Sequence, residues 1–193
     1  MEEIRIVFGI LSGCLLVAGA LPYIIDVWNN RTRPNVISWA GWTFLTVITT
    51  VAQVAKGADL SIIVPIASTI GTGIVATLGV RYGYTKFSIL DKTCFTLGII
   101  AILVWILTKE PLTAIVISVI ADILFLLPTS VKAYREPNTE TAFTYILFAT
   151  GAFLGLLSSA QLDLQDMIYP IYLMVAYSST TCILLIRRKF FVS

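Results

Sequence analysis

Three features of the sequence predict an all-α integral membrane protein of seven transmembrane helices: apolar composition, recurring apolar runs of spanning length, and basic residues gathered onto one set of loops. Of 193 residues, 58% are hydrophobic and 12% charged, roughly half the charged share of an ordinary soluble domain. A bilayer's hydrocarbon layer, ~30 Å thick, takes about 20 helical residues to cross. Spans are accordingly predicted at 4–28, 36–55, 60–80, 87–107, 112–132, 142–160 and 167–186. No stretch remains for a separate soluble domain.

Loop charge orients the first span and all that follow, because Lys and Arg favour the cytoplasmic side. Ten of the 13 basic residues fall on one face: Arg31, Arg33, Arg81, Lys86, Lys92, Lys132, Arg135, Arg187, Arg188 and Lys189. The other face has Arg5, Lys56 and Lys109, with an acidic turn at Asp163 and Asp166. The N-terminus is therefore expected outside and the C-terminus in the cytoplasm. Met1-Glu2-Glu3-Ile4-Arg5 lacks the basic opening of a cleavable signal, so the first run is expected to stay as a helix. The compact chain points to a bacterial inner membrane.

Function classes narrow with composition. Histidine is absent, which removes the commonest general base and zinc ligand; Ser-His-Asp hydrolases and hydrolytic metalloenzymes are excluded. Cys14, Cys94 and Cys182 each lie inside an apolar run without paired spacing, and read as packing residues. No ATP-binding motif is present. An enzyme is not expected, nor a metal, a cofactor or a nucleic-acid partner.

The seven spans contain an internal repeat. Leu21-Pro22-Tyr23 near the end of the first helix is echoed by Leu127-Pro128-Thr129 near the end of the fifth. Pro34-Asn35, followed by Ser38 and Trp42, is echoed by Pro137-Asn138, followed by Thr141 and Tyr145. Asp59-Leu60 with Pro65-Ile66 matches Asp163-Leu164 with Pro170-Ile171. Residues 1–83 thus form a first three-helix unit, 84–109 a linker helix, and 110–193 a second three-helix unit. Three spans are an odd number, so the single linker helix gives both units the same orientation. Parallel repeats about an axis along the membrane normal are a transporter architecture with its site near midplane.

This 3+1+3 plan, with a Leu-Pro near the cytoplasmic end of each unit's first helix, resembles the PQ-loop and SWEET-like superfamily over nearly the whole chain. That group includes SWEET and SemiSWEET sugar facilitators, lysosomal amino-acid exporters and bacterial members, with PnuC vitamin transporters and the KDEL receptor as related forms. The family's Pro-Gln pair is here Pro22-Tyr23 and Pro128-Thr129, so the prolines are kept and the glutamines are not. The mid-helix asparagines of sugar facilitators correspond to Thr72 and Tyr177, and the PnuC Trp-x-x-Trp pattern continues here from Trp39 and Trp42 to Thr46. The resemblance implies transport, without carrying over a substrate.

Candidate site residues follow from what a bilayer penalises. Asp122 is the acidic residue deep in a span, where a carboxylate costs roughly 3 kcal/mol to insert, so it is expected to be protonated, paired or functional. It is a candidate for proton or sodium coupling, or for hydrogen-bonding that holds the repeats in register. With no Lys or Arg deep in a span, no buried salt bridge is expected. Trp39, Trp42, Thr46, Thr49 or Thr50, and Gln53 share one face of the second helix. Such a face suits a wet cavity in which a solute stacks and hydrogen-bonds. Trp39 is instead expected in the cytoplasmic aromatic belt, with Trp42 balanced between belt and pocket. Ser68, Thr72, Tyr145 and Tyr177 complete the substrate-binding candidates. Pro22, Pro65, Pro128 and Pro170 form two equivalent pairs of candidate hinges, because a proline inside a helix removes a hydrogen bond and kinks it. Asp26 and Asp91 are expected to pair with Arg31, Lys86 or Lys92 at the interface.

The expected function is a secondary transporter or facilitator of a small polar solute, a sugar, an amino acid or a vitamin, by alternating access between the two repeats. The alternative is a non-transporting seven-helix receptor or sorting protein of the KDEL-receptor type. One chain supplies both repeats, so a monomer suffices for a pathway, and a homo-oligomer is left open.

Overall fold

The computed structural model describes residues 2–55, 63–84, 86–108, 110–158 and 164–191. These form helices α1 (Glu2–Ala18), α2 (Ala20–Trp28), α3 (Val36–Ala55), α4 (Ile63–Tyr82), α5 (Ile89–Leu107), α6 (Pro111–Arg135), α7 (Ala142–Ser158) and α8 (Leu164–Phe191), with a 3-10 turn at Pro137–Thr139. Among the described residues the only β pairing is an isolated bridge between Asn35 and Tyr84. Six helical stretches are long and apolar enough to cross a membrane, counting α1 and α2 together as Glu2–Trp28, and the 17-residue α7 is apolar but shorter. The chain is a multi-pass α-helical membrane protein. Lys56, Asp59, Leu60, Lys109 and Asp163, used above for orientation and repeat, lie outside the described residues.

Local chemistry sets the helix boundaries. The first span is predicted unbroken, yet it is interrupted between Ala18 and Ala20. Pro22 explains this: it cannot donate to the carbonyl of residue 18, and its ring crowds that turn. Gly19 fills the interruption, where a Cβ would stand 2.6 Å from the Phe148 ring, so only glycine lets α7 approach. Asn30 ends the turn after α2 with φ 58°, the left-handed conformation Asn tolerates at helix C-termini. Asn35 then starts α3, its Oδ1 accepting from the N–H groups of Ile37 (3.1 Å) and Ser38 (3.4 Å). Ser88 and Asp91 form a reciprocal capping box at the start of α5. The Glu110 carboxylate caps α6, accepting from Leu112 N–H at 3.0 Å and Thr113 N–H at 2.5 Å.

Packing brings distant helices together. α4 touches both α3 and the α1–α2 stretch, α8 touches both α6 and α7, and these two groups meet through α1 against α7 and α3 against α6. α5 lies against α6 and α3. Small residues permit the closest approaches: Ser12 Oγ donates to Gly151 O at 2.7 Å between α1 and α7. Phe125 of α6 is fully buried between Gly41 of α3 and Gly98 of α5. The distribution of polarity is that of a protein in lipid. Ile10, Val51, Val80, Leu103, Phe153 and Val175 face outward, whereas Thr32, Asn35, Ser38, Asp122, Thr129 and Thr144 are buried. Cys94 is buried; Cys14 and Cys182 are exposed, and none is in a disulfide.

The expected pairing of Asp26 and Asp91 with loop cations is not found. Asp26 accepts instead from Thr141 Oγ1 at 2.9 Å. Asp91 accepts from Asn35 Nδ2 at 2.9 Å while capping its own helix through Ser88. Both carboxylates serve to join loops to helix starts, which neutral donors do without a second desolvated charge.

Candidate functional site

The α3 face read from the sequence lines an internal cavity of ≈ 210 Å³. Trp39, Trp42, Thr46 and Thr49 enter it from α3, Ser68 and Thr72 from α4, Asp122 from α6, Tyr145 and Phe148 from α7, and Tyr169 and Tyr177 from α8. Leu16 and Val17 of α1 and Ala20 of α2 close the remaining wall, and α5 contributes nothing to it. Of the predicted substrate-binding residues, Gln53 alone stays outside this lining. Trp39 corrects the belt expectation: it is 2% exposed and packs on Trp42 with ring centroids 5.2 Å apart. Its position beside basic loops resembles a belt residue's, but its face of α3 turns to the interior. Trp28 is instead the exposed tryptophan at that end.

Asp122 is 4% exposed, and its Oδ2 accepts from Tyr172 Oη at 2.5 Å. The Trp42 indole lies beside the same carboxylate but outside hydrogen-bonding geometry, and its buried N–H has no partner among the described residues. From the same helix as Tyr172, Tyr169 and Tyr177 line the cavity alongside Asp122. No Lys or Arg is among the cavity's lining residues.

The threonines behave differently from the free hydrogen-bonders expected. Thr46 Oγ1 donates to Thr43 O at 3.0 Å, Thr49 Oγ1 to Thr46 O at 2.9 Å, and Thr72 Oγ1 to Ser68 O at 2.9 Å. Each hydroxyl thus has a carbonyl of its own helix to take its proton, and a proton placed there leaves the oxygen lone pairs as acceptors. Thr46 and Thr72 meet across α3 and α4 at 3.4 Å.

At the basic end, a network unforeseen in the sequence floors the cavity. Glu140 Oε2 accepts from Tyr23 Oη at 2.9 Å and Tyr145 Oη at 3.0 Å, and Oε1 accepts from Lys132 Nζ at 2.7 Å. Trp39 Nε1 donates to Tyr23 Oη at 3.3 Å and stacks on it with centroids 4.6 Å apart. Lys132 also donates to Thr139 O, and Arg188 to the carbonyls of Pro137 and Glu140. The Lys132–Glu140 pair is a buried salt bridge, contrary to expectation. Lys132 sits at the end of its helix, so depth along the span does not reveal its burial; the turn Pro137–Thr139 folds Glu140 back over it. Tyr23, which follows Pro22 in α2, is fully buried at the centre of this network.

The four candidate hinge prolines are placed unequally. Pro22 coincides with the α1–α2 interruption, Pro65 stands in the first described turn of α4, and Pro128 and Pro170 lie within continuous helices. Among the described residues no cluster of potential metal ligands forms. Comparison with known proteins finds no matching family, no similar curated protein and no similar solved structure.

Proposed function

We propose that this chain is a secondary transporter or facilitator of a small polar solute, built on the 3+1+3 plan of the PQ-loop and SWEET-like superfamily. The observation that carries the reading is how the cavity is lined. Positions equated by the sequence repeat enter it in pairs: Leu16 with Asp122, Trp42 with Tyr145, Leu45 with Phe148, Ser68 with Leu173, and Thr72 with Tyr177. The helix left unpaired by the repeat, α5, does not line it. A pocket between two like halves is where rocking of one half against the other exposes a solute alternately to each side. The packing order supports the same division, with the third helix of each unit lying between its first and second. Loop charge favours an N-terminus outside and a C-terminus in the cytoplasm of a bacterial inner membrane. The Glu140 network then closes the cytoplasmic side.

That closure also favours a second reading, a receptor of the KDEL-receptor type, whose ligand pocket stays closed on its inner side. Uptake into proteoliposomes separates the two. A panel of labelled sugars, amino acids, amines and vitamins is offered with and without a proton gradient, to wild type and to Asp122→Asn. Saturable uptake supports a carrier. If the gradient accelerates it only in the wild type, Asp122 couples protons; if the gradient has no effect, the protein is a facilitator. A uniformly impermeable liposome overturns the transport reading.

A further inference from the structure

We propose that the cavity selects a small organic cation, an amine or quaternary ammonium on an apolar or aromatic body, with Asp122 as its counter-charge. As a statement about cargo this rests on the transport reading; as a statement about binding it does not.

Three observations converge on it. The first is charge. Asp122 is the carboxylate of the lining, and no Lys or Arg shares the cavity with it. Lys132, on the same helix, stands about 15 Å away by helical rise and is bound to Glu140 and Thr139 O. A buried carboxylate is stabilised by a partner of opposite charge, and one hydrogen bond from Tyr172 does not supply that charge. An anionic solute would face this carboxylate with no cation in the lining to offset it, the unpartnered Trp42 N–H offering a neutral donor only.

The second is hydrogen-bond polarity. The Thr46, Thr49 and Thr72 hydroxyls spend their protons on backbone carbonyls and present acceptors. An ammonium brings donors and needs acceptors, whereas a sugar brings both in equal measure to a wall that is mostly apolar. The third is the aromatic surface. Trp42, Tyr145, Phe148 and Tyr177 line the cavity around the carboxylate, and the faces of such rings attract cations, most strongly where water is excluded. Carboxylate, lone pairs and ring faces carry the same sign of potential. Together they describe one ligand charge.

The test is equilibrium binding of labelled phenethylamine to the full chain in nanodiscs, with choline, 2-phenylethanol, phenylacetate and glucose as competitors. Phenethylamine is expected to bind saturably and choline to displace it. The neutral alcohol and the anion, which lack the charge but keep the shape, should be weaker by roughly thirtyfold or more. Asp122→Asn should lose the preference of amine over alcohol. Because that variant could misfold, the wild-type ratio of amine to alcohol carries the test alone. No saturable amine binding, or equal competition by the alcohol or phenylacetate, overturns the proposal. Counterflow in liposomes with the same probes keeps the two readings apart. Sugar counterflow without amine binding overturns the cation site and leaves transport standing. Amine binding without counterflow of any probe does the reverse.

Discussion

The side chain of Glu140 accepts three hydrogen bonds inside the protein, from Lys132, Tyr23 and Tyr145. Removing one member of a buried ion pair strands the other charge, typically at about 3–5 kcal/mol, while neutralising both is far milder. Lys132→Met and Glu140→Gln are each expected to lower stability by about that amount. The double variant should recover most of the loss, since the amide oxygen introduced by Glu140→Gln would still accept from a tyrosine. Thermal unfolding in detergent, run as a double-mutant cycle, checks this; additive losses would show that the pair is not coupled. Asp122 and Glu140 show what a sequence discloses at this scale. Asp122 was legible because nothing charged precedes it in its span, so its burial follows from length alone. Glu140 stands among Glu136, Asn138 and Thr139, a context that reads as a solvated loop. Only the fold, by laying Tyr23 and Lys132 over it, makes it interior.

Helices in this protein meet through residues that have no side chain to give way. A Cβ on Gly41 would stand 2.2 Å from the Phe125 ring, and one on Gly98 2.4 Å from it. Gly41→Ala and Gly98→Ala should each destabilise by about 1–3 kcal/mol through overpacking. Phe125→Leu introduced with either should relieve part of the loss, and unfolding of singles and doubles measures it; no relief would place the strain elsewhere. At the start of α6, hydrogen bonds from Thr113 and then Leu112 hold the Glu110 carboxyl below its ordinary value. A depressed acid contributes stability above its unfolded pKa and loses it as pH falls through the folded one. The protection of amides in the first turn of α6, taken relative to the intrinsic exchange rate at each pH, should therefore hold at neutral pH and fall below the usual carboxylate range, about 4. Glu110→Gln should abolish that pH dependence. Element positions were legible from apolar length, as the predicted 36–55 and observed Val36–Ala55 show. The interruption at Gly19 was not, because Pro22 looks alike whether it bends a helix or divides it.

Across the whole molecule, apolar side chains face outward, and a cavity with a mostly apolar, aromatic wall around one carboxylate lies within. The repeat read from the sequence rests on prolines and loop residues, whose backbone roles can survive while the side chains around them diverge. In that reading Leu16 and Asp122 are equivalent positions, yet of the residues lining the cavity only Asp122 is acidic. In this account the Glu140 network is one end of a pathway whose two ends open in turn. The most direct test is two-sided accessibility of a cavity residue. Ser68→Cys, in a background with Cys14, Cys94 and Cys182 replaced, is treated with a membrane-impermeant thiol reagent from either face of sealed vesicles. The account predicts labelling from both faces, with Glu140→Gln shifting it towards the cytoplasmic one. Labelling from a single face, unchanged by Glu140→Gln, would contradict alternating access.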